Sequence, residues 1–290
     1  MRPCHRLQHP LLHRSGRLAD VTGATDLHPE LPLSAEPRQR WRLTFARERV
    51  PADQVGRAVL DAWQQTLARS GLPLAGLDGG GEGRARIAFA APLPAAARGE
   101  HELADVWLVE RRPLWAVREA LCDRLPDAHR WIAAEDVWLG APALAGHVIA
   151  ADWQIEVAGR GLDRDQLADA ARRLIAARTL PRTRLKGATA KPYDLRPLLA
   201  DLAIDDEAVE RVASESIVVR MRTRIHPELG AGRPEEVVAA LAESAAVEIA
   251  IGAMTRSGFL LADDPVDGPP SLGPRPGVDV VRRRAAQWPR

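Results

Sequence analysis

Between Trp41 and Ile251 the apolar residues switch between a period of two and a period of three to four, and the switches come in the same order twice. Alternation puts every second side chain on one face of a strand, whereas spacing near 3.6 gathers them on one stripe of a helix, so the order of switches predicts the order of elements. In the first half Trp41, Leu43 and Phe45 alternate with Arg42, Thr44 and Ala46 as a half-buried strand. Val55, Ala58, Val59, Ala62, Trp63 and Leu67 then mark a helix within Ala52 to Ser70, with Gly71 where a C-cap belongs. Ala85, Ile87 and Phe89 predict a second strand closed by Pro92 and Pro94, and Leu103 to Glu110 a third. Pro113 opens a helix with Leu114, Val117, Leu121 and Leu125 inward, and Arg130 to Leu139 supplies a fourth strand.

The second half repeats this order. Trp153, Ile155 and Val157 alternate, and a helix from Leu162 to Arg178 follows with Asp163 as its cap. A short strand from Arg182 to Lys186 leads into an insertion, Gly187 to Ser214, that carries the helical-looking DLRPLLADL. The strand Glu215 to Ile225, a helix from Pro234 to Glu243 and a strand through Val247, Ile249 and Ile251 complete the set. Two βαββαβ sets predict an α+β chain of two tandem ferredoxin-like units, residues 41–146 and 147–261. The flanks, residues 1–40 and 262–290, show neither period and are rich in Pro, which predicts disordered extensions, the first reading equally as a mis-assigned start.

Composition narrows the chemistry. With 46% hydrophobic residues over 290 positions the chain has material for a sizeable core. Only two cysteines occur, Cys4 and Cys122, with no CxxC spacing, which argues against a disulfide scaffold, a zinc ribbon or an iron–sulfur cluster. Cys122 reads as a small core hydrophobe. His5, His9 and His13 would share a face only on a helix that Pro3 and Pro10 oppose, so neither a metal nor a cofactor is expected. The run GLDGGGEGR matches neither GxxxxGK[ST] nor GxGxxG and reads as a turn. No apolar run approaches the roughly 20 residues of a membrane span and no leader pattern opens the chain, so a soluble cytoplasmic protein without membrane contact is expected.

A net charge of +1 leaves basicity to be found locally, and it concentrates in TLPRTRLKGATAKPYDLRP, Thr179 to Pro197. Arg182, Arg184, Lys186, Lys191 and Arg196 stand there beside the only tyrosine, Tyr193. A second basic run, SIVVRMRTRI, alternates Arg220, Arg222 and Arg224 with Val219, Met221 and Thr223. If these two strands pair as the middle hairpin and Val219 and Met221 face the helices, Arg184, Lys186, Arg220, Arg222 and Arg224 emerge on the open sheet face. Such a face neutralises phosphates and reads as a nucleic-acid or partner interface, the alternative being a solvated charge run. Asp194 reads as an organiser of the loop through an arginine pair, or as a catalytic carboxylate. His226 is either a general acid or base beside bound phosphates or an exposed turn residue. No Ser/His/Asp set, HExxH or deaminase signature is present, so no catalytic residue is assigned and a binding role is favoured over an enzyme.

The runs RLTFARE, ARSGLPLAG, RARIAFAAPLP, LADVWLVER and, most specifically, RLKGATAKPYDLRPLL resemble the radical-SAM-linked family of uncharacterised bacterial proteins. Members are fused to or encoded beside a cobalamin-binding-type radical SAM protein, often near ribonuclease E/G genes. The sharpest pattern is KG…K..D.RP, carried by Lys186, Gly187, Lys191, Asp194, Arg196 and Pro197, and the resemblance spans about Trp41 to Leu261. Where members show Phe-x-Ser-His-Leu-Asp and Ser-Glu-Gly-Phe-Asn-Pro runs, this chain has RVPADQVGRA and LAGLDGGGEGR. The resemblance implies an accessory role beside a separate radical SAM protein, acting on or around RNA or a ribosome-associated complex. Fold analogy supplies a second class, an RNA-processing or RNA-modifying enzyme, because tandem ferredoxin-like domains also build pseudouridine synthases and CRISPR repeat-RNA endoribonucleases.

Overall fold

Strand β1, Gln39–Arg47, lies in the interior of a sheet, and its neighbours explain most of the architecture. The computed structural model describes residues 35–78, 81–186, 189–205 and 216–264. After β1 come α1 (Arg57–Ala68), β2 (Ile87–Phe89), β3 (Ala97–Leu108), α2 (Leu114–Leu121), β4 (His129–Val137) and a one-turn α3 (Leu144–His147). The chain continues through β5 (Val148–Ala158), α4 (Arg164–Ala176), β6 (Pro181–Lys186), β7 (Thr189–Asp194), β8 (Leu199–Ile204), β9 (Ser216–His226), β10 (Gly230–Ala231), α5 (Pro234–Ala245) and β11 (Ala250–Leu261). Nine strands form one mixed sheet in the order β10-β9-β5-β11-β3-β1-β4, with β2 added to β3 and β8 to β9. The fold class is α+β. β6 and β7 stand apart as a two-stranded ribbon.

The sheet does not stop between the halves. Met254 to Arg256 of β11 run parallel to Ala97 to Gly99 of β3, whereas the other strand pairs of the large sheet are antiparallel. One hydrophobic cluster crosses this joint, placing Leu93, Ala97 and Leu144 with Trp153, Phe259, Leu167 and Val237. A second cluster packs Trp63 and Leu67 of α1 and Val117 and Leu121 of α2 onto Trp41, Leu43, Phe45, Ala104 and Val106. The extended β3 makes both unions possible, because its first residues pair with β11 and its last with β1 and β2.

Several boundaries differ from the sequence reading. The expected helix DLRPLLADL is instead the end of β7, a short 3₁₀ turn at Arg196–Leu198 and strand β8. Pro197 lacks a helical N–H donor, and pairing Leu199–Ile204 with β9 satisfies the backbone better than an isolated turn of helix. Residues Ala52–Gln54 form a separate 3₁₀ turn, because Gly56 adopts φ +60 and divides it from α1. The last strand starts at Ala250 rather than Val247. Ala246 takes the left-handed cap of α5 and the Val247 N–H bonds back to Ala242 O at 3.1 Å, so Val247 belongs to the helix stop. Strand β1 is buried on both faces, not on one.

An aromatic group seals the end of the first-half core. The His129 ring lies 5.4 Å from Phe45 and 5.7 Å from Trp63, and its Nδ1–H donates to Asp127 O at 2.9 Å. Burial pushes the imidazole below its ordinary value of 6.5, the Asp127 carbonyl opposing in part. The unfolded chain therefore takes up this proton before the folded one does. Stability is expected to be full above pH 6.5 and to fall as pH drops through the window below it, a slope that thermal midpoints should show for the wild type and lose in His129→Gln.

A candidate nucleic-acid interface

The ribbon holds most of the basic segment. Its register sets Arg182 opposite Tyr193 and Arg184 opposite Lys191, so these basic positions share one ribbon face with the tyrosine. The Arg184 guanidinium lies 4.6 Å from the centre of the Tyr193 ring, a cation–π contact that fixes both long side chains. Burial raises the Tyr193 hydroxyl above its ordinary value, with Glu236 adding to the shift and Arg184 and Arg233 opposing it.

The base of the ribbon is held by two residues of the KG…K..D.RP pattern. Asp194 Oδ1 accepts from Leu180 N at 2.7 Å and from Arg196 N at 2.9 Å. Arg196 donates to Ala177 O at 3.1 Å, Ile175 O at 2.7 Å and Leu199 O at 2.7 Å, which satisfies carbonyls at the end of α4. Asp194 thus organises the loop through backbone N–H groups rather than through a guanidinium.

The expected hairpin is not formed: β6 pairs with β7, and the basic strand β9 pairs with β5, β8 and β10. The alternation on β9 does turn Val219 and Met221 into the core. Arg220, Arg222 and Arg224 lie on the other face, yet they do not emerge together as free cations. Arg220 Nε bonds Asp205 Oδ2 at 2.8 Å, and Arg222 Nε bonds Asp152 Oδ1 at 2.6 Å, leaving those side chains 17% and 13% exposed. The Asp152 hydrogen bond raises the Arg222 pKa further. Arg182 similarly meets Glu243 of α5 at 2.6 Å, tying the ribbon to that helix.

Sorting the cations by partner separates two groups. Arg182, Arg220 and Arg222 are bonded to carboxylates, which cancel their charge locally. Arg184, Arg196 and Arg224 bond a ring or backbone carbonyls, Arg224 Nη1 reaching Pro197 O at 3.1 Å, and keep their charge. Lys191 is exposed. Arg184 reaches Ala231 O at 3.4 Å, and Gly232 N bonds Arg224 O at 2.9 Å, so the ribbon leans on the β9–β10 turn. Arg184 and exposed Arg233, the residue before α5, both act on the Tyr193 hydroxyl, and exposed Lys191 pairs opposite Arg184, whereas exposed Arg224 stands on the sheet face turned away from the helices. Arg233 escaped the sequence reading; its position directly before Pro234, the first residue of a helix, was the available signal.

His226 is exposed at the end of β9. Its Nδ1 accepts from Glu228 N and Leu229 N, each at 3.2 Å, which ties the ring to the turn that follows. Cys122 sits half-buried at the C-cap of α2. Among the described residues no three of His, Cys, Asp and Glu gather as a metal-binding group, and no helix is long and apolar enough to cross a membrane. His5, His9 and His13 lie outside the described residues.

The family model for an uncharacterised protein conserved in bacteria, DUF2344, matches residues 41–227. The chain belongs to this family. The DUF2344 match takes in the ribbon and the arginines of β9 and ends before Arg233 and α5. No curated protein matches the chain. Among solved structures it is similar to a Cbf5-Nop10-Gar1 complex, with 6% identity, a TM-score of 0.45, and coverage of 76% of this chain and 48% of that one. An H/ACA RNP bound to a substrate RNA containing 2'-deoxyuridine gives 9% identity, a TM-score of 0.41, and coverage of 76% and 47%. The archaeal box H/ACA sRNP Nop10-Cbf5 complex gives 8% identity, a TM-score of 0.39, and coverage of 75% and 48%. The chain spans about half the length of these solved chains.

Proposed function

We propose that this protein is an accessory RNA-binding module that works with a separate radical SAM protein and does no chemistry on RNA itself. The observation that carries the reading is that Arg184 on the ribbon and Arg224 on β9 are held by a ring and by backbone carbonyls rather than by carboxylates, with Lys191 and Arg233 exposed. Cations fixed by carbonyls and a ring are pre-positioned yet uncancelled, which suits phosphate contacts without base readout. The resemblance of RLKGATAKPYDLRPLL to the radical-SAM-linked family supports the partner. The fold reads as two ferredoxin-like units, residues 41–146 and 147–261, fused through one sheet. Its support is the strand order β4-β1-β3-β2 in the first half and β11-β5-β9-β8 in the second, each with two helices on one face.

RNA affinity measured at several salt concentrations, with and without the radical SAM protein, tests this reading. Each of Arg184→Glu, Lys191→Glu and Arg224→Glu is expected to reduce the salt slope by about one and to weaken binding alike across RNA sequences, leaving the RNA intact. Folded variants that bind as the wild type does would remove the interface, and RNA cleavage or modification by the purified chain would replace the module with an enzyme.

A further inference from the structure

We propose that the hollow between α1 and the α2–β4 turn binds a nucleoside monophosphate, with the base between two apolar walls and the phosphate at two arginines of the lining. The hollow measures about 790 Å³, within the roughly 300–1,000 Å³ usual for small-molecule sites. Its first wall follows from the spacing of α1. Trp63 and Leu67 turn into the core, which leaves Ala58, Val59, Ala62, Gln65 and Thr66 on a neighbouring stripe that lines the hollow. Ala58 and Ala62, one turn apart, keep this wall shallow, and Leu125 with Pro126 supplies the other from the α2–β4 turn.

The polar lining selects among apolar ligands. Gln54 and Gln65 each offer an amide donor and an amide acceptor, and Thr66 adds a hydroxyl. An acyl chain would leave these groups unbonded, whereas the edge of a base presents donors and acceptors together.

The charges call for an anion on that ring. Arg69, Arg124 and Asp127 are the charged residues of the lining, and burial pushes His129 below its ordinary value, so it adds no positive charge at neutral pH. The exposed Arg69 side chain has no partner among the described residues. Arg124 Nη1 is held by the carbonyls of Glu119 at 3.2 Å and Ala120 at 3.1 Å, and so keeps its charge. His129 reaches the hollow from the core side, where its ring packs on Phe45 and Trp63. Opposite it in the β1–β4 register stands Arg47, 4% exposed, whose Nε lacks a hydrogen-bond partner among the described residues. The carboxylate that acts on Arg47 is Glu102, which is already bonded to Arg256. Two guanidiniums against one carboxylate thus line the hollow, and two against one again stand behind His129, an excess that favours a bound phosphate. Ala128, between lining residues Asp127 and His129, is held at φ +64 with its carbonyl on Glu48 N at 2.8 Å, and strain of this kind collects at ligand sites.

Calorimetric titration of the full chain with the common nucleoside monophosphates, their nucleosides and inorganic phosphate tests the site. At least one nucleotide is expected to bind with Kd below about 1 mM. Its nucleoside and inorganic phosphate are each expected to bind about tenfold more weakly or worse, as are the nucleotide's complexes with Arg69→Ala and Arg124→Ala. Ala62→Trp fills the space between the walls and is expected to abolish binding with circular dichroism unchanged. Arg184→Glu is expected to leave it as it is, because Arg184 does not line the hollow. The end of an RNA strand carries the same group, so a short RNA with a terminal phosphate is titrated in parallel: tighter binding with the same dependence on Arg69 and Arg124 assigns the site to RNA ends, and weaker binding assigns it to free nucleotides. A wild type that takes up no nucleotide at millimolar concentration, phosphate alone binding as well as the nucleotide, or binding that survives Ala62→Trp and both arginine variants overturns the proposal.

Discussion

Replacing Asp105 by alanine is expected to destabilise the protein by about 3–5 kcal/mol, the range for orphaning a buried charge. Asp105 is fully buried and serves two arginines at once: Arg42 donates to Oδ1 at 2.9 Å, and Arg40 Nε to Oδ2 at 2.9 Å. Arg40, 2% exposed, spends its remaining donors on Ala141 O at 2.7 Å and Pro142 O at 2.8 Å. Removing the carboxylate leaves two buried guanidinium charges, and Arg40 keeps only the Ala141 and Pro142 carbonyls. Against a typical total of about 5–15 kcal/mol, that loss brings the first half close to unfolding. The combined variant Asp105→Leu with Arg40→Met and Arg42→Met is expected to lose much less, because desolvating three charges costs about as much as their attraction returns. Urea unfolding of the single and combined variants checks both statements. A single variant as stable as the wild type would show that water reaches the site.

This ion-pair group also marks where a sequence stops being informative. Alternation in RWRLTF identified the strand and the set Trp41, Leu43 and Phe45 that meets α1 and α2. It could not show that the arginine face is buried too, since the groups covering Arg40 come from about a hundred residues later, at Ala141 and Pro142. The basic segment has the same history. Its charge density is a local property and was visible, as was the placement of Val219 and Met221 in the core. Which charges survive depends on Asp152, Asp205 and Glu243, residues brought in by strand register and helix packing. The ribbon itself was hidden because β7 falls in the stretch read as an insertion, and Pro197 interrupts the helical pattern of DLRPLLADL without revealing which strand takes over. The motif runs pointed to a family of uncharacterised bacterial proteins, and the DUF2344 match covers the segment that carries them, while the radical SAM link has no support beyond the resemblance itself.

The second large effect is expected at the joint between the halves, where Arg256→Met should lower stability by about 3–5 kcal/mol and loosen β11 from β3 first. Arg256 stands opposite Gly99 in the short parallel contact of these strands and is 2% exposed. Its guanidinium donates to Glu102 Oε1 at 2.9 Å, Pro92 O at 3.0 Å and Ala91 O at 3.1 Å, and lies 4.4 Å from the Phe259 ring centre. A side chain at position 99 would collide with the Glu102 carboxyl, so the glycine keeps the acid within reach of the arginine. Methionine retains much of the packing against Trp153 and Phe259 while discarding the charge, so the variant isolates the cost of a stranded Glu102 and two freed carbonyls. Hydrogen exchange should show the amides of Ala97 to Gly99 and Met254 to Arg256 losing protection before those of β5 and β1. Glu102→Leu added to Arg256→Met is expected to return a large part of the loss. If Arg256→Met instead unfolds at the wild-type urea midpoint with β11 still protected, the joint is held by its apolar cluster alone and the ion pair contributes nothing to it.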